Sequence, residues 1–355
     1  MRFRSLLQCL LVMVAVVASG TLECGGVTPS FAERRGVTVY RRMCAVCHGV
    51  EGQGYAADQA PALANRAFLA SVTDEYLRNA ISNGRSGSTM SAWARLHGGP
   101  LGGAEIDGLV ALFHAWREGP RATLDESPLL GDKARGAGVY ARECARCHGP
   151  EGTSGVFMHI GSGDVLGTAS DGFLRYAIRN GHQGTAMPAF EASLGDGAID
   201  DVIALMRAWQ ASRPATARVA PAKPPPMPLG PVPLNPKGPE PEGFRTTPAT
   251  TPAQVIDQQL QRGAKMAILD ARAPSDYLNE HIAGAVSVPF YDPDPYVAQL
   301  PKDAWLVCYC ACPHAESGAL ASKLAAKGFT KVTVLDEGLP FWKGHKFPTH
   351  TGLDP

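Results

Sequence analysis

A chain of 355 residues, 45% hydrophobic and 19% charged, has the make-up of ordinary globular protein and room for two or three domains. Its 33 basic and 33 acidic side chains cancel, which removes the electrostatic basis for binding nucleic acid or an anionic membrane surface. With 39 glycines and 29 prolines, the chain is expected to hold long loops and at least one linker.

Residues 1–20 read as an export signal. Arg2 and Arg4 begin it, Leu6 to Ala18 is almost unbroken apolar sequence, and Ala18-Ser19-Gly20 supplies small residues for cleavage. The apolar core is shorter than the roughly 20 residues of a membrane span. Cleavage and a periplasmic protein are therefore expected. An uncleaved N-terminal anchor is the alternative, and would be the only membrane contact. Lipid attachment at Cys24 is disfavoured by Glu23, which stands where a small residue is wanted.

Next comes an internal repeat of about 100 residues. Cys44, Cys47, His48, Gly49, Glu51 and Gly52 recur one hundred positions later as Cys144, Cys147, His148, Gly149, Glu151 and Gly152. The offset then falls to 97, pairing Leu69 with Leu166, Asp74 with Asp171, Leu77-Arg78 with Leu174-Arg175, Asn83-Gly84 with Asn180-Gly181, and Met90 with Met187. Ala115-Trp116 matches Ala208-Trp209 at offset 93. Matches in order with small drifting gaps indicate duplicated domains, placed at residues 34–120 and 132–212. Each begins with a short helix, Arg34 to Met43 or Lys133 to Glu143, leading into the cysteines. A helix at Thr73 to Ser82 or Ser170 to Arg179 follows, stopped by Asn-Gly. A methionine loop and an amphipathic helix, Glu105 to Arg117 or Ile199 to Gln210, close each repeat.

Residues 213–250 carry twelve prolines and predict an extended, semi-rigid linker, long enough to let the last domain swing. From 252 to 350 the pattern changes to strand-like runs (Ala267-Ile268-Leu269, Trp305 to Tyr309, Lys331 to Leu335) alternating with helical stretches. That alternation predicts an α/β domain with a parallel sheet.

Nine cysteines, at 9, 24, 44, 47, 144, 147, 308, 310 and 312, do not form a disulfide framework. Four belong to two Cys-x-x-Cys-His units, in which paired thiols can add to the vinyl groups of one haem and the histidine can face its iron. A zinc site would need two such pairs brought together, yet each pair lies in its own complete repeat. Each repeat also has its own methionine, 42 or 39 residues beyond the histidine. Zinc binding or dithiol chemistry is thus the weaker reading.

Both repeats resemble all-α class I cytochrome c domains. The resemblance implies two covalently bound haem c groups, one on Cys44 and Cys47 and the other on Cys144 and Cys147. Their irons would be held by His48 with Met90 and by His148 with Met187. Met158, His159 and His182 are competing distal donors in the second repeat. The family orients its proximal histidine with a proline carbonyl, a role Ala60-Pro61-Ala62-Leu63 fits. The second repeat has Phe157-Met158-His159-Ile160 there and departs from the pattern, as the first does in having Ser91 after its methionine where the second has Pro188. Trp116 and Trp209 read as helix-packing core.

Residues 252–350 resemble the rhodanese domain through Ile268 to Arg272, Asp276-Tyr277, His281 to Ala285, Tyr309-Cys310, Lys327-Gly328-Phe329 and Leu335 to Trp342. The resemblance places the candidate nucleophile at Cys310, in a loop that enters a helix near Gly318 to Lys327. The loop Cys310-Ala-Cys312-Pro-His314-Ala-Glu316-Ser317 is about one residue longer than usual and lacks the usual arginine. His314 is the available source of positive charge, and Glu316 would oppose it. Cys312 is a candidate resolving thiol or a buried loop residue. Cys308, Asp270, Arg272 and His281 are read as structural.

Filled axial positions suit electron relay. Together the parts suggest an exported dihaem electron carrier with donor and acceptor redox proteins, linked through Cys310 to a sulfur-compound substrate. Two alternatives are an electron-transfer subunit whose last domain only docks, and a thiosulfate or peroxide oxidoreductase.

Overall fold

The computed structural model describes residues 29–57, 60–85, 87–153, 157–213, 231–312 and 314–355. The expected export signal, Cys9, Cys24 and the first part of the expected linker lie outside them.

In the first repeat the helix Phe31–Val39 runs through a five-residue π turn, Tyr40–Cys44, into a single turn of helix, Ala45–His48. Helices Arg66–Ser71, Asp74–Asn83 and Gly103–Trp116 follow. The second repeat has the same order: Lys133–Glu143, Ala145–His148, Gly163–Leu166, Asp171–Asn180 and Asp196–Ser212. Hydroxyl caps start matching helices, with Thr73 accepting the N–H of Tyr76 and Ser170 that of Phe173.

First and last helices of each repeat cross almost in backbone contact. A Cβ on Gly36 would stand 1.9 Å from the Gly108 carbonyl oxygen, and one on Gly136 2.0 Å from that of Asp201, so the crossing admits only glycine there. Beside each crossing a tyrosine packs edge-on against the late tryptophan, Tyr40 on Trp116 and Tyr140 on Trp209, both at 4.8 Å. The two tryptophans are packing residues, as their helical setting suggested.

The C-terminal domain is built on five parallel strands: β1 (Thr250–Thr251), β2 (Met266–Asp270), β4 (Ala285–Ser287), β5 (Trp305–Tyr309) and β6 (Val332–Leu335), in the order β1-β6-β5-β2-β4. A short antiparallel ribbon pairs β3 (His281–Ile282) with β7 (Thr349–His350). Alternation along β5 serves both faces: Leu306 and Cys308 join one core, Val307 and Tyr309 the other. Where the chain leaves β5, the loop from Cys310 turns into the helix Ala315–Ala326, so the sheet delivers that loop to its C-terminal edge.

Residues 231–249, expected as the second half of a free linker, lie along this domain. Asn235 donates to the Gly263 carbonyl, Thr247 N–H to that of Val332, and Phe244 packs on Trp305 at 5.3 Å. Among the described residues, no helix is long and apolar enough to cross a membrane.

Candidate functional site

The two Cys-x-x-Cys-His turns sit in equivalent frames. Tyr40 and Tyr140 donate their hydroxyls to the carbonyls of Gly49 and Gly149, at 2.7 and 2.9 Å, which ties each helix to the residue after its histidine. All four cysteines are half-buried. Burial pushes the Cys44 thiol up to about 12 and that of Cys144 up to about 11.

His48 Nδ1 lies 2.9 Å from the Pro61 carbonyl oxygen. A carbonyl only accepts, so Nδ1 carries the proton and Nε2 keeps a lone pair for a metal. In the second repeat the Met158 carbonyl does the same for His148, at 3.2 Å. The change of sequence there, read as a departure from the family, costs no hydrogen bond because a main-chain carbonyl needs no particular side chain. Met158, a competing ligand on sequence, contributes its backbone. Burial lowers the pKa of both histidines and so favours the neutral ring that ligation requires.

The methionine loops are also superposable in their bonding. Arg85 N–H donates to the Met90 carbonyl and His182 N–H to that of Met187, at 2.9 and 3.0 Å. Ser88 and Thr185 hydroxyls accept from the N–H groups of Met90 and Met187, both at 3.2 Å. Each loop turns at a glycine of positive φ: a Cβ on Gly84 (φ +68°) would meet the Met90 carbonyl oxygen at 2.4 Å, and one on Gly181 (φ +60°) the Pro188 carbonyl carbon at 2.4 Å. Both methionines are half-buried. His182, another of the three competitors, faces the Asn65 side chain at 3.4 Å. Each frame thus offers two thiols, an imidazole with a free lone pair and a thioether held in a loop, a donor set that fits a haem c.

At the C-terminal edge of the sheet, Cys310 and Cys312 are both buried, at 1% and 3% exposure. Their sulfurs are 3.0 Å apart, and Cys310 Sγ is 3.3 Å from the Ser317 hydroxyl. Burial opposes a thiolate at Cys310. Hydrogen bonds from the Cys312 thiol, the Ser317 hydroxyl and the Ser317 and Cys312 backbone N–H groups outweigh it and lower the pKa to about 6. The same partnership, with burial, holds Cys312 far up as a thiol.

His314 takes no part in this. Its ring reaches Asp336, with Nε2 at 2.5 Å from the carbonyl and 3.1 Å from Oδ1. Backbone and hydroxyl donors, rather than the histidine charge expected from the sequence, stabilise the sulfur. Ser317 was within the motif but unassigned there; its place on the first turn of the helix is the signal that would have found it. Glu316 is buried, and its carboxyl is raised well above the usual range by burial first and then by Cys310. Burial thus favours its acid form, in which it does not oppose a thiolate. Cys308 is fully buried in β5.

The structural readings of three other residues agree with their contacts. Arg272 pairs with Asp270 at 2.6 Å in the core, and the Tyr309 hydroxyl donates to the same carboxylate at 2.6 Å. The ring nitrogens of His281 lie 2.8 and 2.9 Å from the carbonyls of Tyr277 and Asp354.

Comparison with known proteins assigns both halves. The family model for cytochrome c oxidase, cbb3-type, subunit III matches residues 31–112 and again 131–206. The model for the rhodanese-like domain matches residues 252–345. The chain is a tandem cytochrome c protein with a C-terminal rhodanese-like domain. Cytochrome c domains imply covalently bound haem c and a redox partner. Thiosulfate sulfurtransferase GlpE of Stutzerimonas stutzeri (strain A1501) is 31% identical over 93 residues, which cover 26% of this chain and 84% of that protein. A rhodanese-like domain from Anabaena is 32% identical, covering 29% of this chain and 80% of its own, with a TM-score of 0.28. A chain of the reducing HAO-like protein complex of Kuenenia stuttgartiensis is 23% identical, covering 50% of this chain and 96% of that one, with a TM-score of 0.35.

The rhodanese-like domain rests on the first cytochrome c domain. Asp276 accepts from Ser91, the neighbour of Met90, at 2.6 Å, and Ser275 donates to the Ala92 carbonyl at 2.7 Å. Trp93 packs on Tyr291 at 5.8 Å. Arg42, two residues before Cys44, donates to the Tyr291 carbonyl and pairs with Asp292 at 2.9 Å. The helix that follows the thiol loop, Ala315–Ala326, touches the Ala45–His48 turn itself. None of these contacts was legible in the sequence, since they join residues some 180 to 280 positions apart.

Proposed function

We propose that this protein is an exported electron carrier that takes electrons from a sulfur compound held at Cys310. Two haem c groups would be bound, on Cys44 and Cys47 with His48 and Met90, and on Cys144 and Cys147 with His148 and Met187. When bound, each supplies a one-electron store at the raised potential typical of histidine–methionine ligation. One observation carries the reading: the helix entered from the thiol loop packs against the first haem-binding turn.

The protein's own residues provide the rest. Main-chain carbonyls of Pro61 and Met158 fix the two imidazoles, and the glycine-turned loops present the two thioethers. Cys310, kept reactive by its hydrogen bonds, attacks the outer sulfur of a thiosulfate- or polysulfide-like donor as a thiolate. The donor's S–S bond breaks, sulfite or the shortened polysulfide leaves, and the persulfide left on Cys310 gives up two electrons as its outer sulfur bonds to a second thiolate of the substrate. Apolar burial of the loop keeps bulk water from the sulfur.

The extent of the domain contact favours a second reading, in which the rhodanese-like domain only docks. Reductive titration with thiosulfate or polysulfide, following the haem spectrum, separates the two. Cys310→Ser is expected to slow donor-dependent haem reduction at least tenfold while dithionite still reduces both haems. Unchanged reduction by the sulfur donor would leave the docking reading.

A further inference from the structure

Cys312 has no place in simple sulfur transfer, which needs one thiol. It nevertheless stands with its sulfur 3.0 Å from that of Cys310, inside van der Waals separation and about 1 Å from bonding distance. Both sulfurs are almost wholly shielded from solvent. A buried thiolate is penalised by desolvation, whereas a disulfide between the same atoms leaves no charge behind. Burial also favours the acid form of Glu316, the carboxyl within the loop. Alongside this, the following helix touches the turn that carries Cys47 and His48, and Asp276 holds the residue after Met90.

We infer that Cys310 and Cys312 form a dithiol–disulfide couple whose electron outlet is the first cytochrome c domain. This rests on the reading of Cys310 as the electron source and adds the substrate class, thiols. In the forward step the Cys310 thiolate and the Cys312 thiol form the S–S bond, the Cys312 proton leaves, and two electrons would pass singly to two ferric haem c groups. The couple is reloaded by exchange: two external thiol groups, or one dithiol, become a disulfide as the protein's own S–S bond breaks and its two thiols are restored. Disulfide couples lie well below the potentials of histidine–methionine haems, so the forward direction is downhill.

The test uses the full-length haem-loaded protein, reduced with dithiothreitol and freed of it under anaerobic conditions. Two equivalents of ferricyanide are mixed in rapidly. Haem absorbance is followed, and quenched samples are alkylated and the peptide containing residues 308–312 is weighed. The expected result is rapid haem oxidation, then a first-order return of reduced haem that does not depend on protein concentration. In the same phase the peptide loses two alkylatable thiols. Cys312→Ser and Cys310→Ser are both expected to abolish the return phase.

Persistent alkylation of both thiols while the haems stay oxidised would overturn the inference. So would a stoichiometric metal ion held by the two sulfurs and Glu316, whose donor atoms lie within 4.8 Å of one another. If thiosulfate or polysulfide still reduces the haems of Cys312→Ser but not of Cys310→Ser, the dithiol couple falls and the sulfur-donor reading stands. If it reduces both variants normally, both fall.

Discussion

The two cytochrome c domains share a hydrogen-bond skeleton but differ in what surrounds it. The tyrosine ties, the proximal carbonyls and the methionine-loop bonds recur one for one. Equivalent aromatic residues even meet between the domains, with Tyr76 and Phe173 packed at 5.3 Å. The differences lie where each domain meets the rest of the chain. Arg78 and its repeat mate Arg175 both pair with an aspartate on the last helix, Asp107 and Asp200. The first pair is exposed. Arg175 is 2% exposed because the connector between repeats covers it, accepting from it at the carbonyls of Asp125 and Ser127. The methionine loop of the first domain is in turn gripped by the rhodanese-like domain through Ser91. Duplication therefore preserved the frame of the cofactor, and the connections set each copy's surroundings.

That contrast can be broken most forcefully at the arginines. Arg175→Ala should destabilise the protein by about 3–5 kcal/mol, because it strands a partly buried carboxylate and two carbonyls. Arg78→Ala should cost less than about 1 kcal/mol. Chemical denaturation of the two variants checks this, and equal losses would remove the distinction.

The glycines test the shared frame instead. Gly84→Ala and Gly181→Ala each force a side chain into a positive-φ turn and against the methionine loop. Similar losses of about 1–3 kcal/mol are expected, each with weakening of the methionine–iron charge-transfer band of one haem. A variant that left that band intact would detach the loop geometry from ligation.

A smaller effect belongs to the docked face. Ser91→Ala removes one hydrogen bond to Asp276, worth about 0.5–1.5 kcal/mol for a typical hydrogen bond. In a redox titration one haem component should shift while the other stays. Movement of both components together would show that docking does not act on one domain alone.

The smallest difference is one of acid sensitivity. Asp201 is nearly buried, and its carboxyl is held below the usual range by the side chain of Arg135 and the N–H of Asp132. A depressed pKa contributes stability that is present above the ordinary carboxylate pKa of roughly 4 and is lost as pH falls through the folded value. The equivalent of Asp201 in the first domain is Gly108, which has nothing to titrate. Asp201→Asn should therefore blunt the acid sensitivity of the second domain while lowering its stability at neutral pH, and should leave that of the first, where Asp74 is held down by His114 and Arg121, unchanged. Acid titration followed by each haem's spectrum would show whether the change is confined to one domain.

Much of this was written locally in the chain. Two Cys-x-x-Cys-His turns, their following glycines and the downstream methionines are short-range patterns, and the repeat offset aligned them without any fold. The β5-to-helix passage likewise fixed where Cys310 would emerge. What could not be read were contacts made by groups that every residue carries. The proximal acceptor of His148 is a main-chain carbonyl, invisible to a search for proline. The donors at Cys310 are mostly backbone N–H groups and one serine, while His314, chemically the more conspicuous residue, turns to Asp336.

The sequence by itself determined the two Cys-x-x-Cys-His frames and the thiol loop, because each is set by residues close together in the chain. Only the tertiary structure decided that the thiol loop's helix lies against the first frame and that the two cysteine sulfurs face each other in a buried setting. Those outcomes depend on packing across domains and on desolvation, to which no local pattern of residues is sensitive. The pair of Cys-x-x-Cys-His turns thus makes the domains alike, and the rhodanese-like neighbour makes them different.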